Sequence, residues 1–351
     1  MTGEAGAMGA DGLKLLVAGG AGFIGSNFIR HILKSRPAWQ VVNVDKLTYA
    51  GNLANLKEVS EDPRYRFHRA DICDAEAIAG IFSKEKPDAV VNFAAETHVD
   101  RSIDDPGLFL RTNILGTQVL LDAARRSGVS RYLQISTDEV YGSLGPAGKF
   151  SEDSPLKPNS PYAASKTSAD LLARAYFKTY GLPVLITRCS NNYGPYQFPE
   201  KIIPFFVTLL REGKAVPVYG DGKNVRDWIH VDDHSRAVEA VLLRGRPGEV
   251  YNVGGGNERT NIEITKMLLS AMGKDTSHMK FVPDRPGHDR RYAIDDTRIR
   301  TELCVAPQVP FERGLADTVR WYLSNEPWWR AVQSGEYQSF YDRWYVRKAR
   351  A

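Results

Sequence analysis

Cysteine is scarce in this sequence. Cys73, Cys189 and Cys304 are the 3 that occur among 351 residues, far apart, with no CxxC and no paired histidine. That pattern argues against a disulfide scaffold and a zinc site, and for a reducing, cytoplasmic compartment. Long apolar runs are missing too: no window approaches the ~20 unbroken apolar residues of a membrane-crossing helix. The opening MTGEAGAMGADG lacks the basic start and apolar middle of a secretory signal. Residues 1–12 read as a flexible tail, with Met8 as an alternative start to Met1. Excess charge is also absent. Lys and Arg number 46 against 42 Asp and Glu, a net +4, and no basic block carries interleaved aromatics. Nucleic acid is therefore a poor partner for this chain. The sequence has no internal repeat and no low-complexity tract.

What is present is ordinary globular composition, 42% hydrophobic and 25% charged, at a length suiting two domain-sized units. Strand and helix patterns alternate through the first half. KLLVAG, WQVVNVD, YRFHRAD, DAVVNFAA, RYLQIS and LPVLITRC read as strands. Between them GFIGSNFIRHILKS and AEAIAGIFSKEK have helical spacing. A long helix is predicted from about Pro106 to Arg126, carrying Leu108, Leu115, Val119 and Leu120. A second is predicted after Ser160, with Pro161 near its start and Gly181 past its end. This rhythm means a parallel sheet with helices on both faces. After about Asn191 it loosens into Gly- and Pro-rich stretches, read as a smaller mixed unit whose strands can return to the main sheet. The aromatic end, Trp328 to Tyr345, is expected to pack on that unit.

VAGGAGFIGSN lies between the first strand and the first helix. It holds Gly20-x-Gly22-x-x-Gly25, overlaid by Gly19-x-x-Gly22-x-x-Gly25. Glycines let such a turn approach a pyrophosphate, and the helix N-terminus offers it unpaired N–H groups. Asp45 ends the second strand about 20 residues on, the spacing of a dinucleotide-binding acid. It is expected to accept the ribose hydroxyls, which favours NAD over NADP, although Lys46 is adjacent. Asp71 and Ile72 are placed to flank the adenine, and Ala94, Ala95 and Thr97 to lie near the cofactor's middle.

Tyr162 and Lys166 stand four apart on the second long helix and share a face. An ammonium beside a phenol favours the phenolate. Such a group can take a proton from a sugar hydroxyl while hydride leaves the same carbon. ISTDEVYG ends the fifth strand with Thr137 and two adjacent acids, Asp138 and Glu139.

Glycine turn, Asp45, ISTDEVYG, Tyr162/Lys166 and TRCSNNYGPYQFPEKIIP together resemble the extended short-chain dehydrogenase/reductase superfamily. Within it the chain is similar to the dTDP-glucose 4,6-dehydratases. The match runs from about Lys14 to beyond Tyr292, and its most specific element is Thr137-Asp138-Glu139. Epimerases of the superfamily usually carry a small hydroxyl-rich run there. The resemblance implies an α/β, Rossmann-type doubly wound parallel sheet with a smaller mixed α/β substrate-binding domain. Residues 13–190 would hold NAD and 191–351 the sugar nucleotide, with a soft, interleaved boundary. It implies a lyase that oxidises C4, eliminates water across C5 and C6 and returns hydride to C6, with Thr137, Asp138, Glu139, Tyr162 and Lys166 catalytic. Adjacent carbons need adjacent proton groups in different protonation states.

The resemblance also places Gly19, Gly22, Phe23, Ile24, Gly25, Lys46, Thr48, Thr112, Ser136 and Asn191 against NAD. On the substrate side it implies Thr97, Thr137, Asn191, Glu200, Lys201 and Ile202. Pro217 and Tyr219 would wall the base, and Arg226, Asn261, Arg285 and His288 would face the phosphates. Arginine's planar fork suits phosphate oxygens. A homodimer is expected through the helices at about 106–126 and 161–180; no metal, nucleic acid or membrane is. The competing expectations are a UDP-sugar 4-epimerase or decarboxylase on the same fold, and a non-catalytic NAD-sensing protein.

Overall fold

The structure, a computed structural model, describes residues 12–284 and 286–333. Its centre is a sheet of parallel strands: β1 (Lys14–Ala18), β2 (Gln40–Asp45), β3 (Tyr65–Arg69), β4 (Ala89–Asn92), β5 (Arg131–Thr137) and β6 (Val184–Cys189). Each of the six expected strands forms. β1, β4, β5 and β6 are almost wholly buried, as continuous apolar runs covered on both faces should be. The alternation shows along β1. Leu15 and Val17 join one core, Leu16 and Ala18 the other.

The helices divide between those faces. Phe28, Ile29, Ile32 and Leu33 of α1 (Phe23–Ser35) fill the first core. The opposite core takes Ile78 and Phe82 of α2 (Ala75–Glu85). The predicted long helix at 106–126 is three pieces. After the short α3 (Val99–Asp104) come α4 (Pro106–Phe109), a π-helical stretch Leu110–Gly116, and α5 (Thr117–Arg126). Leu120 is buried, but Leu108, Leu110 and Leu115 face outward, with Leu115 57% exposed. α6 (Pro161–Tyr180) starts on Ser160, whose hydroxyl accepts the Ala163 N–H, and ends on Gly181 at φ 72°.

The second half interleaves with the first. Three strands, β7 (Asn191–Tyr193), β9 (Val225–His230) and β11 (Glu258–Thr260), form a small sheet, and β8 (Val216–Tyr219) pairs with β12 (Met279–Val282). β10 (Val250–Val253) instead joins the main sheet beside β6, giving the order β10-β6-β5-β4-β1-β2-β3. α7 (Ile202–Arg211) belongs to a third core with Trp228, Phe311, Tyr322 and Trp329, while α8 (Val231–Arg244) returns to cover the main sheet against α1. Trp329 thus packs on the smaller unit, and the expectation for 334–345 lies outside the described residues. Strand order reverses between β1 and β4, and a crevice opens there at the carboxyl ends of the strands, where such sheets bind ligands.

Candidate active site

The glycine turn is shaped by close approach. Gly19 has φ +77°, and a Cβ there would lie 2.5 Å from the Ala94 nitrogen. A Cβ on Gly25 would collide with the Gly19 carbonyl, whereas one on Gly22 would meet nothing nearer than 3.4 Å. α1 then begins at Phe23 with no side-chain cap and no acid in its first turn. Its N–H groups are left for an anion. Asp45 accepts the Ala21 N–H at 2.9 Å and the Leu47 N–H at 2.8 Å. Burial raises its pKa and these two bonds oppose the rise. Lys46 pairs with Asp71 at 2.7 Å.

An open cleft of about 1560 Å³ runs from this turn along the strand ends. Gly19, Gly22, Phe23, Ile24 and Gly25 line it at one end with Asp45, Lys46, Thr48, Asp71 and Ile72. Ala94, Ala95, Thr97, Thr112 and Ser136 line its middle, and Tyr162, Lys166 and Asn191 its far end. An anion-ready helix start, an acid at the second strand's end and a cleft continuous to Tyr162 suit a dinucleotide such as NAD. Among the described residues no cluster of His, Cys, Asp or Glu suits a metal ion.

Thr137 closes β5, and its hydroxyl organises the turn beyond the strand. It accepts the Glu139 N–H at 3.3 Å and donates to the Asp138 carboxylate at 3.3 Å. Asp138–Tyr141 is a single 3-10 turn, so the two acids leave the strand in different directions. Asp138 is 2% exposed, and its Oδ2 has no hydrogen-bond partner among the described residues. Burial, then Glu139 and Asp227, push its pKa well above the carboxylate range, against the pull of Arg226. Glu139 lines both the long cleft and a second, open cavity.

Tyr162, in the first turn of α6, packs edge-on to Phe109, with centroids 6.3 Å apart. Burial, Glu139 and Cys189 raise its pKa well above the usual phenol value, while a hydrogen bond with Thr137 lowers it. Lys166 lies one turn on, and its Nζ donates to the Ile135 carbonyl at 2.6 Å. Burial lowers its pKa; Asp170 and Cys189 raise it. The expected lysine-favoured phenolate is therefore not the state of the protein alone. Burial, then Glu139 and Cys189, hold the phenol proton, and the Lys166 ammonium is anchored on backbone.

The second cavity continues from Glu139 and Asn191. Glu200 and Lys201 line both spaces, and Ile202, Pro217, Tyr219, Arg226, Asn261 and His288 line the second. Arg226 is 6% exposed. It donates to the carbonyls of Val225 at 2.7 Å and Asp289 at 3.0 Å, and its Cζ lies 4.2 Å from the Tyr292 ring centroid. Lys201 donates to the Thr97 carbonyl at 2.8 Å, and His288 meets Asp284 at 2.5 Å. Arg285 lies outside the described residues. The structure adds residues that sequence reading missed. Tyr292, His98, Asp100 and Trp228 line the second cavity, and Glu96, Cys189, Gln197 and Phe198 the first. Only THVDRS, directly after the fourth strand, offered a positional signal.

The family model described as GDP-mannose 4,6 dehydratase matches residues 16–318. A dTDP-glucose 4,6-dehydratase of Streptomyces griseus is 57% identical over 323 residues, 91% of this chain and 96% of the relative. One of Actinoplanes sp. is 55% identical over 322 residues, 90% of this chain and 100% of the relative. The crystal structure of DesIV, a dTDP-glucose 4,6-dehydratase from Streptomyces venezuelae with NAD and TYD bound, has a TM-score of 0.89 at 55% identity, covering 91% of this chain and 100% of that one. With likeness of that extent across fold and site, the chain belongs to the dTDP-glucose 4,6-dehydratase family within the extended short-chain dehydrogenase/reductases.

Proposed function

We propose that this chain converts dTDP-glucose to dTDP-4-keto-6-deoxyglucose with NAD bound through the whole cycle. The observation that carries the reading is the acid pair: Asp138 buried and biased to its protonated form, Glu139 beside it where the two cavities meet. Tyr162 takes the C4 hydroxyl proton, and Thr137 hydrogen-bonds the C4 oxygen. Bound NAD supplies the acceptor for the C4 hydride and the donor to C6, and its positive ring offsets the burial that holds the Tyr162 proton. A ketone at C4 acidifies C5. Glu139 then removes the C5 proton while neutral Asp138 protonates the departing C6 hydroxyl, so one water leaves. Glu139 finally returns a proton to C5. Proton transfers of this kind contribute about 10²–10⁴-fold each.

Residues 13–190 carry the cofactor and 191–351 the sugar nucleotide in this reading, with Arg226, Asn261, Arg285 and His288 on the phosphates and Pro217 and Tyr219 on the base. Asn191 lies between sugar and nicotinamide, and Glu200, Lys201 and Ile202 lie along the substrate. An epimerase or decarboxylase has no use for a neutral acid beside a second carboxylate at C5 and C6. A non-catalytic NAD sensor has no reason to keep Tyr162, Lys166 and the acid pair. Outward-facing Leu108, Leu110, Leu115 and Leu171 support a homodimer through the 106–126 and 161–180 helices, which sedimentation equilibrium tests. Three unpaired cysteines support a cytoplasmic setting, and fractionation of the source cells reads it. Among the described residues no helix is long and apolar enough to cross a membrane.

The experiment is incubation with dTDP-glucose in deuterated water. Product lighter by one water and carrying deuterium at C5 is expected. Unchanged mass would point to epimerisation, and loss of carbon dioxide from a UDP-glucuronate control to decarboxylation.

A further inference from the structure

The segment between β2 and the 3-10 stretch Leu53–Val59 borders the cofactor cleft. Lys46, Thr48, Ala50 and Gly51 line that cleft. Tyr49, between them, reaches elsewhere. Its hydroxyl donates to Glu200 Oε1 at 3.0 Å, across 151 positions of chain. Its ring lies 3.8 Å from the Arg101 guanidinium carbon and packs edge-on to Phe198, with centroids 5.3 Å apart at 84°. Burial, then Glu200 and Glu96, hold the phenol well above its ordinary pKa, so it remains a donor.

The far end of the segment is tied down independently. Asn52 N–H and the Asn55 side-chain amide both donate to the Ala21 carbonyl of the glycine turn, at 3.0 and 2.9 Å. Trp328, from the smaller unit, donates to Asn55 Oδ1 at 2.9 Å. One side of the segment is therefore fixed to the cofactor turn. The other is fixed by Tyr49 to a carboxylate that lines both cavities.

We propose that Tyr49 is a positioning residue that latches this segment to Glu200, holding the nicotinamide cofactor in its cleft from the first hydride transfer to the second. The inference rests on the function proposed above. A reaction that stores a hydride on the cofactor and returns it to the same sugar stalls if the reduced cofactor escapes. The sugar is then left oxidised at C4, either still bearing its C6 hydroxyl or, after water loss, unsaturated between C5 and C6, and the lost electron pair departs with the cofactor. A latch bonded to the sugar site links cofactor retention to the residues that hold the sugar.

Tyr49→Phe in the full chain removes the hydroxyl and keeps the ring. Purified protein is gel-filtered, its cofactor content measured after denaturation, and the cofactor dissociation rate followed. A hydrogen bond to a charged group is worth about tenfold or more. Dissociation about tenfold faster is expected, with unfolding temperature lowered by no more than about 2–4 °C. Progress curves should slow with time and recover on added NAD. The ultrafiltrate should contain reduced cofactor matched one to one by 4-keto sugar nucleotide that has not received hydride at C6, a species distinct from the 4-keto-6-deoxy product. Phe198→Leu, which loosens the ring and leaves the hydroxyl, is the second variant and should show the same loss. Parent-like cofactor content and dissociation in both variants would overturn the latch while leaving the dehydratase reading intact. A parent chain that binds no NAD would overturn both.

Discussion

Lys166 donates to the carbonyl oxygen of Ile135 at 2.6 Å. A buried cation on α6 is thereby fixed to the strand that ends in Thr137 and leads into the turn of Asp138 and Glu139. Behind it Asp170, on the same helix, pairs with Arg188 at 3.0 Å and favours the charged lysine. The ammonium thus stands one turn from Tyr162 without competing for its proton.

Its removal has a definite sign. Tyr162 works as a base only when deprotonated, and burial with Glu139 and Cys189 already raises its pKa. Lys166→Met removes a cation that favours the phenolate, so that pKa rises further. The rising limb of the kcat/KM pH profile should move to higher pH, and turnover at neutral pH should fall about 10²-fold or more. An unmoved limb at parental rate would exclude an electrostatic role for Lys166.

The acid pair separates by isotope. Glu139→Gln should leave C4 oxidation, read as reduction of bound cofactor in a single turnover, and abolish deuterium entry at C5. Asp138→Asn should slow water loss about 10²-fold or more while C5 exchange continues, because Glu139 still removes that proton. Equal loss of exchange in both variants would mean that the two acids do not divide the work as proposed.

The strands, the glycine turn and the Tyr162/Lys166 pair were legible because each depends on neighbours in sequence. An apolar run buried on both faces needs no partner named in advance, and a four-residue spacing sets a shared helix face. Distant pairings were not. The π-helical stretch at Leu110–Gly116 depends on Asn113, whose amide holds the backbone N–H and C=O of Glu96 at 2.8 and 3.0 Å and also meets Ser165 at 2.8 Å. It depends too on Gly116 passing close to Ile72. Periodicity cannot distinguish such a stretch from an ordinary helix. Tyr292 was missed for the same reason. Its hydroxyl bonds Asp289 at 2.5 Å, and Asp289 in turn takes the Asn159 amide at 2.6 Å, just before the helix of Tyr162. Lys166 was found by spacing, but its carbonyl partner depends on the approach of α6 to β5.

Asp138 should cost the fold stability that its chemistry requires. Its carboxyl is 2% exposed, with one oxygen unpartnered among the described residues, and its pKa in the folded protein is raised first by burial and then by Glu139 and Asp227. In the unfolded chain an aspartate ionises near 3.9. Below that pH both states are protonated and the group is neutral in the balance. As pH rises from there toward the folded value, the unfolded chain releases a proton that the native state keeps, so native stability falls. Asp138→Asn removes this term. Its unfolding temperature should match the parent's near pH 4 and exceed it by about 2–4 °C or more at pH 7, read by calorimetry at a series of pH values. A difference independent of pH would mean that Asp138 is ionised in the native protein, and the proton delivered to the C6 oxygen would then have to come from another group.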